Sequence, residues 1–282
     1  MPREPLLSVG HLSVRLGDRE SAAPIIPDLS FDLSCECVAL VGESGSGKSL
    51  TARAVLGLLP PPLVARATLL QLGETDLRRC TASEWNGLRG ARLSLMLQDP
   101  RVSLNPVSSI GRQMDMALRV HRRQPAAERH ERIAEMLDAV GLTQRQRLLK
   151  AYPHQISGGM GQRIVLAMML LNDPEVLIAD EPTSALDAEL REQVMQLIRR
   201  HVETRRMGLL LISHDLQMVA RHANRALVMY RGRIVDQGPA ADLGRSAHPY
   251  TRALWASRPS GKTHGTVLPV LDPAVLEREM RE

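Results

Sequence analysis

Four apolar residues in succession, Val38-Ala39-Leu40-Val41, run straight into Gly42-Glu43-Ser44-Gly45-Ser46-Gly47-Lys48-Ser49, and an apolar-periodic stretch from about Lys48 to Leu58 follows. No other stretch restricts the fold as strongly. A wholly apolar strand has to be covered on both faces, which is the condition of a parallel strand lying between helices. The glycines and lysine fit the pattern G-x-x-x-x-G-K-S, placed after a buried strand and at the opening of a helix, where that pattern acquires physical meaning. Glycine lets successive N–H groups turn inward, and the helix N-terminus adds a positive dipole. Lys48 reaches the β and γ phosphates of a nucleotide, and the Ser49 hydroxyl ligates Mg2+. Pro60, Pro61 and Pro62 then stop the helix.

The rest of the chain continues the alternation. Leu6 to Leu33 shows short apolar alternations broken by Gly17, Pro24 and Pro27, which predicts antiparallel strands and turns. A strand is expected at Leu93 to Leu97, followed by a polar segment over 98–108 and by helical periodicity with almost no strand signal over 109–150. Beyond Ser157 a helix runs to about Asn172. It is followed by strand Val176 to Ala179, helix Ala188 to Glu203, strand Leu209 to Ile212, helix Leu216 to Ala223, and strands near 226–229 and 233–236. Strands alternating with helices imply parallel β with crossover connections. A length of 282 permits one large α/β domain or two smaller ones. No internal repeat is visible, and 246–282, with Pro249, Pro259, Pro269 and Pro273, reads as an appended extension.

Composition narrows the partners. Two Trp, three Tyr and one Phe leave an aliphatic core, and a net charge of +5 with so few stacking aromatics argues against nucleic acid. The basic runs at 119–123 and 199–206 fall on helical patterns and read as solvated faces. Cys35, Cys37 and Cys80 form no CxxC pair, so neither a disulfide framework nor a zinc site is expected, and a reducing cytosol fits best. No run approaches the roughly 18 apolar residues needed to span a bilayer, and no secretory leader is evident. At a membrane, another chain would have to carry this one.

Two further motifs carry chemistry. Val176-Leu177-Ile178-Ala179-Asp180-Glu181 is an apolar strand ending in paired carboxylates. Strand alternation would aim them to different sides, Asp180 toward a metal shell and Glu181 toward a water as general base. Ile156-Ser157-Gly158-Gly159-Met160-Gly161-Gln162-Arg163 opens a helix with a serine and glycines, a second anion-binding tip.

With that second tip the chain resembles the ABC ATPase family over residues 6 to about 240. The resemblance implies an α/β fold: a P-loop NTPase cassette with a RecA-like core, an N-terminal antiparallel β subdomain and an inserted helical subdomain at about 100–172, together spanning 1–245. It implies that Gly42 to Ser49 and Leu50 bind ATP, and that Ser157, Gly158 and Gly159 close over the γ-phosphate held by an opposing cassette. Gln98, in Leu97-Gln98-Asp99-Pro100, matches the glutamine that senses Mg2+ and the attacking water, giving Ser49, Gln98 and Asp180 as the metal side. Asp187, in Ser184-Ala185-Leu186-Asp187, matches the aspartate that reaches across the dimer. His214, in Ile212-Ser213-His214-Asp215, matches the histidine that contacts the γ-phosphate, and it joins Glu181 and Gln98 as the catalytic set.

Within the family the chain is similar to the dipeptide, oligopeptide and nickel importer branch. The similarity rests on Gln98-Asp99-Pro100 with Ser103-Leu104-Asn105-Pro106, on Tyr152-Pro153-His154-Gln155 before the serine-glycine tip, on Met160 in place of glutamine, and on His248-Pro249-Tyr250-Thr251-Arg252-Ala253-Leu254. The branch implies an ATP-hydrolysing subunit at the cytoplasmic face of the cell membrane, beside two permease subunits. A second cassette, identical or different, and an extracytoplasmic solute-binding protein would complete the system. Peptides, nickel and related small solutes all remain open as cargo. Two positions depart from the family: Leu16 stands where an aromatic usually stacks on adenine, and Gly161 replaces a bulkier residue. With no cysteine beyond Cys80, no iron–sulfur centre is expected in the extension.

Overall fold

The computed structural model describes residues 4–17 and 23–257. In chain order its strands and helices are β1 Leu7–Leu16, β2 Ile26–Leu33, β3 Cys37–Val41, α1 Lys48–Val55, β4 Leu63–Arg66, β5 Leu69–Leu72, β6 Thr75–Asp76, α2 Ala82–Leu88, β7 Leu93–Met96, α3 Pro100–Ser103, α4 Ile110–Arg119, α5 Ala126–Ala139, α6 Arg145–Lys150, α7 Gly158–Leu170, β8 Val176–Asp180, α8 Ala188–Thr204, β9 Gly208–Ile212, α9 Leu216–His222, β10 Arg225–Tyr230, β11 Arg233–Pro239 and α10 Pro249–Ala256. Of the expected extension over 246–282, residues 258–282 lie outside the described residues. Among the described residues no helix is long and apolar enough to cross a membrane. The described residues divide into two compact units, one of 4–8, 32–36 and 70–210, the other of 9–17, 23–31, 37–69 and 211–257.

In the second unit β3 is buried at all five positions and pairs in parallel with β10, Val38 opposite Arg225 through Val41 opposite Val228. Its aliphatic sequence is explained by that burial, since neither face meets water. β10 turns back into antiparallel β11, with a bulge between Val228 and Met229. β1 pairs antiparallel with β4, Ser13 opposite Arg66 through Leu16 opposite Leu63. Helix α1 is shorter than its periodicity suggests. It ends at Val55, and Gly57 at φ 63 turns the chain away before the prolines are reached.

In the first unit β7 pairs in parallel with β8, Leu93 opposite Val176 through Met96 opposite Ala179. Between them the chain holds helices and no strand, matching the periodicity of 109–150. α4 buries Ile110, Met114 and Leu118, and α5 buries Ile133, Met136 and Leu137, each at the three- and four-residue spacing that puts them on one helix face. α7 is apolar on most sides and is buried along Ile164 to Ala167. After α7 the chain passes through Asp173, whose carboxylate takes Arg122 at 3.0 Å and Arg132 at 2.6 Å, with Arg205 at 3.7 Å. The same unit contains β5 from Leu70 on, strand β6 and helix α2, elements for which the sequence reading carries no expectation.

Candidate functional site

The glycine loop adopts a conformation that its composition makes available. Gly42, Gly45 and Gly47 have φ of 151°, 81° and 108°. At Gly42 a Cβ would lie 2.1 Å from the Met229 carbonyl oxygen, so a side chain is excluded by packing as well as by backbone angle. The loop delivers the chain into α1 with Gly47 as its N-cap and no acidic residue in the first turn, leaving the helix dipole uncompensated. The Lys48 ammonium folds back over the loop and donates to the Gly42 carbonyl at 2.8 Å, the Glu43 carbonyl at 2.6 Å and the Ser46 hydroxyl at 3.2 Å. Ser44, Gly45 and Ser49 face outward, and Ser46 is buried. From the turn between β10 and β11, the Gly232 N–H donates to the Ser46 carbonyl at 2.9 Å.

Asp180 ends β8 and is 5% exposed, while Glu181 lies beyond the strand at φ 52. This revises the reading from strand alternation. The pleat stops at Asp180, and the left-handed turn at Glu181, uncommon for a residue with a Cβ, sets where its carboxylate goes. A strained backbone of this kind persists only where its surroundings hold it. One group that holds it is Gln162 on α7, fully buried, whose Nε2 donates to the Glu181 carbonyl at 3.0 Å and to the Ser184 hydroxyl at 3.2 Å, while its Oε1 accepts the Ala185 N–H at 3.1 Å. Gln162 was not among the expected site residues. A glutamine beside the apolar run from Ile164 is the signal that could have flagged it, because a buried amide has to be satisfied.

The serine-glycine tip of α7 is formed as expected. Ser157 is its exposed N-cap, accepting the Met160 N–H at 3.3 Å, and Gly158 is exposed with open space where a Cβ would stand. Gly159 packs against the loop before α8, where a Cβ would meet Leu186 Cδ2 at 3.2 Å and the Ala185 carbonyl at 3.3 Å. Asp187 caps α8 through the Leu190 N–H at 2.9 Å and is exposed. Burial lowers the Arg163 guanidinium from its ordinary range, with Asp187 opposing the shift, and Arg163 donates to the Gly159 and Gly141 carbonyls. Gln98 is exposed two residues past β7, and His214 is exposed between β9 and α9, next to Ser213, whose hydroxyl accepts the Asp215 N–H.

The first unit therefore carries Asp180, Glu181, Asp187, Gln98 and the Ser157–Gly159 tip, and in it Gln162 ties α7 to the turn from Glu181 to Ala185. The second holds Gly42 to Leu50 and His214. Residues 26–184 match the family model described as ABC transporter. The chain belongs to the ABC transporter family. Within that family it is 41% identical over 256 residues to the dipeptide transport ATP-binding protein DppD of Haemophilus influenzae, covering 90% of this chain and 78% of the relative. It is 37% identical over 278 residues to the oligopeptide transport ATP-binding protein OppD of Lactococcus lactis subsp. cremoris, covering 98% and 82%. Among solved ABC cassettes, a dimeric post-hydrolysis form of the ATP-binding cassette MJ0796 bound to ADP and phosphate superposes with a TM-score of 0.74 at 23% identity, over 83% of this chain and 98% of that one. That likeness establishes the α/β cassette fold.

Proposed function

We propose that this chain is the ATP-hydrolysing subunit of a peptide importer, acting as one of two cassettes that close over bound nucleotide. The observation that carries the reading is the Gly42–Ser49 loop. Its glycines take backbone angles closed to other residues, its amides open a helix with no competing acid, and its lysine lies folded over the loop with its ammonium on the loop's own oxygens. In this reading the triphosphate replaces those oxygens as the partner of Lys48, and the loop from Gly42 to Leu50 cradles it with those of its amides that have no partner within the protein, Glu43, Ser44, Gly45, Ser46 and Gly47 forming the curve.

Mg2+ fits the donor set. The expected ligands Ser49, Asp180 and Gln98 offer one carboxylate and neutral oxygens. A cation that keeps its waters and is shared with substrate phosphates needs no more than that. When bound, it would offset charge on the β and γ phosphates. Glu181 takes a proton from the attacking water as that water adds to the γ-phosphorus and the bond to the β-bridging oxygen breaks. His214 and Gln98 orient the γ-phosphate and the water. Ser157, Gly158, Gly159 and Asp187 serve the nucleotide of the opposing cassette, so pairing completes each site.

Peptide cargo follows from the names of the relatives, which are dipeptide and oligopeptide transport proteins. Such a subunit works at the cytoplasmic face of the membrane against two permease subunits, with a solute-binding protein outside. Residues 1–245 form the cassette, with the helices at about 100–172 as its permease-facing subdomain and 246–282 as an extension. Glu181→Gln tests the catalytic assignment: it should retain Mg-ATP and nucleotide-driven pairing while hydrolysis drops at least about a hundredfold. Hydrolysis near the wild-type rate would refute Glu181 as base, and absence of nucleotide retention by the wild-type chain with its companion cassette would refute the whole reading.

A further inference from the structure

The run His248-Pro249-Tyr250-Thr251 takes no part in the proposed chemistry, yet its place in the structure gives each member a task. Tyr250, in the first turn of α10, is fully enclosed at 0% exposure, and its hydroxyl oxygen accepts the Glu43 N–H at 3.0 Å. Glu43 is the second residue of the phosphate loop, and its carbonyl takes the Lys48 ammonium. The helix carrying Tyr250 is itself clamped. Asp236 on β11 accepts the Ser246 and Thr251 hydroxyls, each at 2.6 Å, and the Ser246 hydroxyl accepts the His248 N–H at 3.1 Å. Pro249 stands at the start of the helix, where its missing N–H leaves no bond unmade. The Tyr250 ring tilts against Tyr230 with centroids 4.6 Å apart. Burial pushes the Tyr250 phenol up to about 12, so it stays neutral through the physiological range and is a fixed partner for the loop.

We propose that Tyr250 is a positioning residue of the nucleotide site, its hydroxyl fixing the Glu43 peptide so that the phosphate loop is preorganised for a triphosphate. The proposal rests on the nucleotide-binding reading above. Without the hydroxyl, the Glu43 N–H has to find water or another oxygen, and the phosphate-ready loop becomes one of several conformations. Affinity then falls by the fraction of molecules in the ready state, whereas turnover of nucleotide already bound is little changed. The tether also makes α10 part of the ATPase, so a partner that displaced α10 would loosen nucleotide without touching the phosphates.

Tyr250→Phe in the full chain removes one oxygen and keeps the ring. Calorimetric titration with Mg-ADP and steady-state Mg-ATP hydrolysis should show Kd and KM raised about threefold to tenfold, with kcat within twofold of wild type. Tyr230→Phe is the comparison, because among the described residues the buried Tyr230 hydroxyl has no hydrogen-bond partner, and its ring is what packs on Tyr250. It should leave both constants unmoved. Wild-type constants in Tyr250→Phe, equal shifts in the two variants, or a fall in kcat alone would overturn the proposal and leave the nucleotide reading standing. Failure of the wild-type chain to bind Mg-ADP would overturn both. If Tyr250→Phe does not fold, amide exchange in the wild-type chain decides: slow exchange at Glu43 without nucleotide is expected, and exchange at the rate of an unstructured peptide would sink the tether.

Discussion

Replacing Gln162 by Met removes the brace on the Glu181 turn while keeping side-chain length and volume. Packing should change by less than about 1.5 kcal/mol, since Met fills a glutamine-shaped space without strain. The three lost hydrogen bonds do not count equally. The Glu181 carbonyl keeps the Ser184 N–H at 3.3 Å and the Ser184 hydroxyl at 3.2 Å, whereas the Ala185 N–H loses the Gln162 oxygen. At about 1 kcal/mol net for a neutral bond, the loss comes to roughly 1–2 kcal/mol. For a chain of this size that lowers the melting midpoint by about 2–8 °C. The same 1–2 kcal/mol is comparable to the cost of holding a non-glycine residue left-handed, so Glu181 at φ 52 should spend much of its time in a relaxed turn. kcat for Mg-ATP should fall by about 5- to 30-fold, while KM, set by a loop elsewhere in the sequence, changes little. A lowered midpoint with wild-type kcat would show that the turn holds itself and would refute the brace. Gln162→Glu offers a pH readout. A carboxyl in that buried position is raised above its ordinary value of about 4.3, and its neutral form can donate to the Glu181 carbonyl as the amide does. Because the folded state then binds the proton more tightly, the stability deficit of this variant should shrink as pH falls and widen as pH rises through the raised value.

Lys48→Ala should weaken Mg-ATP binding by about 10- to 100-fold, the worth of one charge-assisted contact to phosphate, measured by calorimetric titration. Gly42→Ala should abolish nucleotide binding and cost several kcal/mol of stability in a denaturant titration, because its Cβ would sit 2.1 Å from the Met229 oxygen at φ 151; a stable, binding-competent variant would contradict the loop geometry. Leu16, 56% exposed, has room for an aromatic, and Leu16→Tyr should tighten ATP by about fivefold if this strand end meets adenine. At Asp236 burial works to raise the carboxyl, but the Ser246 and Thr251 hydroxyls and the nearby His248 outweigh it and hold the group below its usual range. A depressed carboxylate stabilises the fold above its unfolded value and loses that contribution as pH falls through the folded one. The midpoint difference between wild type and Asp236→Asn should therefore be full near neutrality and fade in acid; a difference independent of pH would refute the clamp.

What could be read from the sequence and what could not divide along a physical line. β3, β8 and β9 announced themselves because strands buried on both faces leave no polar position, and α4 and α5 because a helix with one wet face repeats every three to four residues. Strands β4 to β6 left no such trace, being two to four residues long and only partly buried. α2 was missed although Thr81 and Glu84 form a capping box that is spelled out in the sequence. The loop proposed to meet phosphate was readable for a different reason: its backbone angles admit glycine and little else, so its shape is written in adjacent residues. The groups that hold such loops in place obey no local rule. Tyr250 reaches Glu43 across 207 positions, and Gln162 reaches Ala185 across 23. Each has an ordinary place in its own helix, one as a buried aromatic and the other as a polar residue near a helix start. Local pattern therefore points to the atoms proposed to touch the substrate, while the residues that decide how firmly those atoms are held come into view only when distant segments are brought together.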